Sequence, residues 1–310
     1  VSINLPGITE KDSSDIRFGL ENKINYIAAS FVRKAQDVLD IRELLKEKNM
    51  EDVQIFPKIE SQEGIDNFEE IIAVSDGLMV PRGDMGVEIP AQNVPIVQKH
   101  MIKRCNELGK PVITATQMLD SMQENPRPTR AEVSDVANAV FDGTDATMLS
   151  GESANGDYPV ESVAMMNDID IKAENHLWEF GTEKFDWDKS DVTETIGSAV
   201  ANAAKDLDIH TIVAYTASGY TAKMISKYRP NADIVALTPN ERVERGLMIN
   251  WGVQPYVVDE MKNTDTMFDL AAKKGVELGF AKKGDKIIIV AGVPLGVPGA
   301  TNMMRVKTID

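Results

Sequence analysis

Short apolar runs alternate along the chain with stretches in which apolar residues recur every three or four positions. In residues 53–60, VQIFPKIE, apolar and polar residues alternate with a period of two, which predicts a β-strand. Just upstream, an amphipathic helix is predicted from the spacing of Val38, Ile41 and Leu45. The pattern predicts a protein in which strands and helices follow one another in turn.

Five strand patterns, separated by helical ones, occupy the first part of the chain. They lie at residues 24–32, 53–60, 77–80, 111–117 and 146–152. Parallel strands joined by helices cross over with right-handed connections, so this order predicts either an open parallel sheet or part of a (β/α)8 barrel. Five strands are too few to close such a barrel.

The apolar periodicity is lost and charge accumulates near residues 182–190, which predicts a linker between two domains. We expect one domain over residues 1–181 and a second over residues 191–310. The second domain repeats the alternation of helices with strand-like runs, which are TIVAYT, DIVALT, VQPYVV, KIIIVAG and MMRVKTI. Its fold class is therefore also α/β.

Polar residues follow several of the predicted strands in the first domain. Lys58 and Glu60 share one face of their strand, Asp84 follows the run at 77–80, and Thr116 closes the run at 111–117. Because the carboxyl ends of parallel strands meet at one edge, these side chains are expected to lie together. Two carboxylates there suit Mg2+, which takes few protein ligands, and a lysine suits phosphoryl oxygens or a Schiff base.

Five segments, in this order and spacing, resemble the core of a bacterial-type pyruvate kinase, and the likeness extends over residues 1–310. They are KIESQEG, RGDMGVEIP, TATQMLDSM, RPTRAEVSDVANAVFDGTDATMLSGE and GDYP. The resemblance implies that the first domain is the last five βα units of a (β/α)8 barrel. It implies that the first three units and an inserted lid domain precede residue 1, and that the second domain is regulatory.

The resemblance also implies a reaction, in which phosphoenolpyruvate and ADP give pyruvate and ATP. Glu60 and Asp84 then bind Mg2+ or Mn2+, Lys58 stabilises the transferring phosphoryl group, and Thr116 binds the substrate carboxylate and helps to protonate the enolate. Gly83 and Asp84 begin a short turn whose N–H groups are predicted to hold that carboxylate. The K+ ligands and most nucleotide contacts are expected upstream, so this chain alone is expected to be catalytically incomplete.

One departure from the family pattern occurs at the end of the third strand, where Pro81 stands in place of the usual alanine. Proline lacks an N–H and fixes φ, so a slightly reshaped strand end is expected. The next residue, Arg82, is predicted to brace the loop or a neighbouring subunit instead of reacting.

The second domain contains a candidate site for a phosphorylated effector. The run TASGYT lies between a predicted strand and helix, where hydroxyl and N–H groups can hold a phosphate. The candidate residues are Thr216, Ser218, Gly219, Tyr220 and Thr221. The loop at 293–300 is expected to close over the site, while residues 260–267 lack a tryptophan and arginine pair that some family members use. A sugar phosphate and AMP therefore both remain candidates.

Composition restricts the partners. A formal net charge of −16 and a pI near 4.7 argue against nucleic acid and anionic membranes. The single cysteine, Cys105, lies on the apolar face of a predicted helix, and no apolar run reaches 18 residues. A cytoplasmic protein is expected, and the resemblance implies a homotetramer.

Two other functions remain open from the sequence. A Mg2+-dependent pyruvate aldolase or lyase also places paired acids at barrel strand ends, although it leaves TASGYT and the second domain unexplained. A non-catalytic module that binds sugar phosphates is the other alternative. The three histidines share no metal-ligand spacing and are assigned no role; they are His100, His176 and His210.

Overall fold

The structure of the protein is a computed structural model that describes residues 7–180, 190–297, 299 and 301–310. The chain divides into two compact units, Val1–Phe185 and Asp186–Asp310. The predicted linker at 182–190 falls, apart from Ser190, outside the described residues. Its bounds, and the domain limits derived from them, stay predictions.

The first unit alternates strands and helices, as the periodicity predicts. Its strands are β1 Tyr26–Ala29, β2 Gln54–Pro57, β3 Leu78–Pro81, β4 Val112–Ala115 and β5 Ala146–Met148. Its helices are α1 Glu10–Glu21, α2 Ala35–Glu47, α3 Gln62–Asp66, α4 Phe68–Ala73, α5 Arg82–Glu88, α6 Val94–Leu108, α7 Arg130–Asp142, α8 Gly151–Ala154, α9 Pro159–Glu174 and α10 Leu177–Phe180. Short 3-10 turns lie at Ala91–Asn93 and Asp120–Gln123.

All strand pairs described in this unit are parallel and follow chain order. β1 pairs with β2, β3 with β4, and β4 with β5. A single bridge between Lys58 and Met79 connects the two groups of strands. The strands are shorter than predicted, so the polar residues assigned to their last positions lie just beyond them. The parallel α/β class is thus observed, whereas the identity of these strands as five units of a barrel belongs to the proposals below.

The central strand β3 is apolar on both faces. All four residues of β3 are buried, which is typical of a parallel strand covered by helices on either side. The main core joins residues of α2, β2, β3 and α6, and Cys105 of α6 is fully buried within it. This core fixes the strand register, and therefore the position of every strand end.

The second unit is a mixed five-stranded sheet with helices on both faces. Its elements are α11 Val192–Asp206, β6 Thr211–Tyr215, α12 Tyr220–Ser226, β7 Asp233–Thr238, α13 Glu241–Leu247, β8 Val253–Val257, α14 Thr264–Glu277, β9 Lys286–Ala291 and β10 Met303–Thr308. The strand order is β10-β9-β6-β7-β8, and only β10 runs antiparallel, against β9. Alternate residues of β6 enter different cores, Ile212 on one face and Val213 on the other.

No helix in the described residues is both long enough and apolar enough to cross a bilayer.

Candidate functional site

The carboxyl ends of the strands in the first unit are aligned by register. Pro81 of β3 lies opposite Ala115 of β4, and Ala115 lies opposite Met148 of β5. Ala29 of β1 lies opposite Pro57 of β2. The residues that follow these positions are therefore delivered to a common edge, which carries the predicted site residues.

The predicted pair Lys58 and Glu60 is in contact. Lys58 Nζ lies 2.8 Å from Glu60 Oε1, and it donates a hydrogen bond of 3.3 Å to Ser30 Oγ. Glu60 is buried, with 1% of its surface exposed, and its Oε2 accepts a hydrogen bond of 2.6 Å from the backbone N–H of Phe31. A buried carboxylate needs such partners because desolvation is costly. The residues after β1 therefore belong to this site, although sequence reasoning did not include them.

Arg82 braces the loop after β4, the first of the two roles expected for it. Its guanidinium donates to the carbonyl oxygens of Thr116 at 2.9 Å and Gln117 at 3.1 Å. It also donates to Asp135 of α7 at 2.7 Å. The side chain is buried, so these bonds replace its lost hydration. Arg82 therefore ties the ends of β3 and β4 to α7.

Gly83 and Thr116 meet directly, but in a way that differs from the prediction. The N–H of Gly83 donates a hydrogen bond of 2.7 Å to Thr116 Oγ1. Residues 82–88 form α5 where a short turn was expected, and the N–H of Gly83 is used within the protein. The prediction required the N–H of Gly83 to be available for an anion. In the structure this N–H already donates to the hydroxyl of Thr116.

The backbone after β4 is in an unusual conformation. Thr116 has φ 67° and Gln117 has φ 53°, in the left-handed region that non-glycine residues rarely adopt. A β-branched threonine there is a genuine outlier, and such conformations are concentrated at functional sites. Thr114, which period-two alternation places beside Thr116, instead lies buried against Thr144 at 2.9 Å. The alternation fails because the chain leaves the strand at Ala115.

Asp84 is exposed in the first turn of α5, which follows β3, and the bridge between Lys58 and Met79 joins β3 to the chain just after β2. Two carboxylates at neighbouring strand ends match Mg2+, which takes one or two of them and completes its shell with substrate oxygens and water. Glu60 Oε1 is buried and, despite its ion pair with Lys58, receives no hydrogen bond of regular geometry. This leaves a lone pair for a cation. The described residues contain no cluster of three or more His, Cys, Asp or Glu suited to a metal.

Glu152, which follows β5, is a buried carboxylate that joins two loops. Its Oε1 accepts from the N–H of Leu119 at 3.1 Å, and its Oε2 accepts from the N–H of Ser150 at 2.8 Å. It therefore holds the loop after β4 against the loop after β5. Both of its carboxylate oxygens accept hydrogen bonds from backbone N–H groups.

In the second unit, the predicted effector residues line one pocket. The pocket lies between the loop after β6 and the loop after β9, and the predicted residues that line it are Thr216, Ser218, Tyr220 and Thr221. The fifth predicted residue, Gly219, has φ 86° and donates its N–H to Thr216 Oγ1 at 2.9 Å. Its contribution is therefore to shape the loop.

The loop predicted at 293–300 reaches this pocket. Gly296, Val297 and Gly299 line it, while residues 298 and 300 lie outside the described part of the chain. Thr221 and Thr301 contact each other at 2.9 Å between hydroxyl oxygens, which fastens the loop to α12. Burial raises the pKa of Tyr220 above the ordinary value of a phenol, a group that is protonated near neutral pH in any case and can donate a hydrogen bond.

The comparisons with known proteins give one consistent result. Residues 1–163 match the family described as pyruvate kinase, barrel domain, and residues 194–307 match pyruvate kinase, alpha/beta domain. The pyruvate kinase of Lactobacillus delbrueckii subsp. bulgaricus is 65% identical over this whole chain, which covers 53% of that relative. That of Clostridium acetobutylicum is 53% identical with 66% of the relative covered, and that of Geobacillus stearothermophilus is 54% identical with 53% covered. The chain thus spans between 53% and 66% of these relatives' length.

Proposed function

Because the chain belongs to the pyruvate kinase family, we propose that it carries the centre for phosphoryl transfer from phosphoenolpyruvate to ADP, giving pyruvate and ATP. The observation that carries the proposal is the meeting of Lys58 with the buried Glu60 at strand ends that also deliver Asp84 and Thr116. Phosphoryl transfer needs charge neutralisation and positioning more than covalent chemistry, and this set of groups supplies both.

We propose for each residue the role that the family resemblance implies. Lys58 places its ammonium on the oxygens of the phosphoryl group as the P–O bond to the enol oxygen breaks and the bond to ADP forms. Thr116 binds the substrate carboxylate and takes part in delivering a proton to the enolate carbon. Gly83 holds Thr116 in place and permits a close approach of substrate to backbone.

Glu60 and Asp84 would hold Mg2+ or Mn2+ at the same edge. When bound, the cation supplies positive charge for the phosphoryl and enolate oxygens. We further propose that the five parallel strands are units of a (β/α)8 barrel. The part of the relatives that this chain does not cover would supply the remaining units, the K+ ligands and most nucleotide contacts. On this proposal the 310 residues alone form pyruvate poorly or not at all.

Substitution of Lys58 by methionine tests the proposal. The parent protein is a hybrid in which the residues of the Lactobacillus relative that precede the matched region are joined to Val1. We expect Lys58→Met to lower kcat for Mg2+-dependent pyruvate formation by about a hundredfold to a thousandfold, with unchanged circular dichroism. Lys273→Met is the matched control, since that lysine is 70% exposed on α14.

The alternatives give different results in the same assay. Unchanged turnover in Lys58→Met would indicate a non-catalytic module. A hybrid that cleaves 4-hydroxy-2-oxo acids to pyruvate, but does not use phosphoenolpyruvate, would indicate an aldolase or lyase.

We propose in addition that the pocket of the second unit binds a phosphorylated effector, either a sugar phosphate or AMP. The proposal is supported by the hydroxyl groups of Thr216, Ser218 and Thr221, which converge on one pocket with the glycine-rich loop opposite. Titration calorimetry with fructose 1,6-bisphosphate, ribose 5-phosphate and AMP checks it. Ser218→Ala is expected to weaken binding about tenfold, as for a lost charge-assisted hydrogen bond, whereas the exposed Ser14→Ala should not.

The family resemblance also supports a homotetramer as the assembly. Sedimentation of the hybrid is the measurement that decides this, and a monomer at micromolar concentration would contradict it.

A further inference from the structure

The two residues that follow β1, Ser30 and Phe31, contact both members of the Lys58–Glu60 pair. Ser30 Oγ accepts from Lys58 Nζ at 3.3 Å, and the backbone N–H of Phe31 donates to Glu60 Oε2 at 2.6 Å. Glu60 has no other hydrogen-bond donor among the described residues. One dipeptide therefore contacts the ammonium and orients the carboxylate.

Phe31, whose N–H bonds to Glu60, has a left-handed backbone. Its φ is 54°, and a bulky residue in this region is an outlier. Among the described residues, most other non-glycine residues with positive φ follow the ends of helices, where left-handed caps are common; these are Lys23, Asn49, Asp208 and Arg229. Helix capping therefore does not explain Phe31.

The remaining non-glycine residues with positive φ in the described part of the chain lie at the same edge of the first unit. Thr116 and Gln117 follow β4, as Phe31 follows β1, and the hydroxyl of Thr116 likewise bonds to a predicted site residue, Gly83. The Phe31 side chain is 63% exposed, so burial of its ring does not compensate the backbone conformation. Strain that packing does not explain, located at a candidate site, points to a positioning function.

We infer that Phe31 is a positioning residue, whose left-handed backbone aims its N–H at Glu60 Oε2 and thereby leaves Oε1 directed toward Lys58 and a divalent cation. This inference rests on the proposed function, because it concerns the metal site of that reaction. The ring is not required for it. What matters is that residue 31 can adopt positive φ.

A series of three substitutions separates the backbone from the ring. Phe31→Gly and Phe31→Asn remove the ring but tolerate positive φ, whereas Phe31→Val removes the ring and disfavours that conformation. All three keep the N–H. The hybrid protein described above is titrated with Mn2+ and free Mn2+ is followed by electron paramagnetic resonance. Thermal unfolding of each variant verifies that it is folded.

We expect Phe31→Val to bind Mn2+ about tenfold more weakly than Phe31→Asn or Phe31→Gly, which should agree with each other. The Mg2+ concentration needed for half-maximal pyruvate formation should rise by the same factor, with a smaller change in kcat. If the three variants bind Mn2+ equally, whether as the parent does or all more weakly, the inference is wrong.

The design distinguishes this failure from failure of the proposed function. If only the inference about Phe31 is wrong, the parent hybrid binds Mn2+ and forms pyruvate, but the three variants do not differ in Mn2+ affinity as expected. If the parent hybrid neither binds Mn2+ nor forms pyruvate, the proposed function fails and the inference fails with it.

Discussion

At the scale of single residues, the candidate site is held by buried polar groups whose partners come from other strands. Glu60 depends on Phe31, and Thr116 accepts from Gly83. Arg82 contributes the largest number of bonds, because its fork of donors reaches two carbonyl groups and Asp135 at once. The geometry of the site therefore depends on residues that need not touch substrate.

We predict that Arg82→Met lowers the free energy of unfolding by about 3 kcal/mol, since it removes a buried cation that pairs with a carboxylate and two carbonyl groups. Urea denaturation measures the change. Arg130→Met is the control, because that arginine is exposed at the start of α7 and its loss should cost less than about 0.5 kcal/mol. Equal effects of the two substitutions would refute the bracing function.

At the scale of elements, α9 packs beside β5 through an unusual polar contact. The hydroxyl of Thr147 in β5 donates a hydrogen bond of 2.7 Å to Asp170 Oδ2 in α9. The other carboxylate oxygen is buried without a partner among the described residues. Burial raises the pKa of Asp170 from 3.8 to about 6, Thr147 opposes this and Glu174 adds to it. Ionisation of this carboxyl group therefore destabilises the folded state at this helix–strand contact.

The pH dependence follows from the sign of that shift. The folded state binds the proton more tightly than the unfolded state, so the contribution of Asp170 to stability is fully present below pH 3.8 and is lost as the pH rises through about 6. Asp170→Asn, which cannot ionise, should gain about 1–2 kcal/mol over the parent between pH 4 and pH 7, after a discount for partial exposure.

The measurement is the difference in free energy of unfolding between variant and parent, followed from pH 4 to pH 7. Asp168→Asn, at an exposed position of the same helix, serves as the control and should show a flat difference. A flat profile for Asp170→Asn as well would show that this carboxyl group ionises as freely as one in water.

At the scale of the whole molecule, the two α/β units are built on separate cores. The first has a main core that includes residues of β2 and β3 and a second cluster that joins α7 to α9, and the second unit has a core on each face of its sheet. The chain has a net charge of −16, and at the candidate site the cations Lys58 and Arg82 are paired with the carboxylates Glu60 and Asp135.

The domain bounds and the site roles of Lys58, Glu60, Asp84 and Thr116 stay predictions. The order of strands and helices and the α/β class were determined by the sequence itself. These follow from local periodicity and short motifs, because a strand or helix is encoded mainly by residues close together in the chain. A loop between strand and helix predicted Thr216 and Ser218; they line a pocket in the structure, and their role in effector binding stays a proposal.

Only the tertiary structure decided which groups complete the site. Phe31 lies 29 positions from Glu60, and Arg82 reaches the Thr116 carbonyl across 34 positions. No periodicity connects residues that far apart. The left-handed backbone at Phe31 and Thr116, and the use of the Gly83 N–H within the protein, arise from strand register and from competition among hydrogen-bond acceptors. The backbone conformations and this hydrogen bond form only when the strand ends come together, so they cannot be predicted from the local pattern of residues.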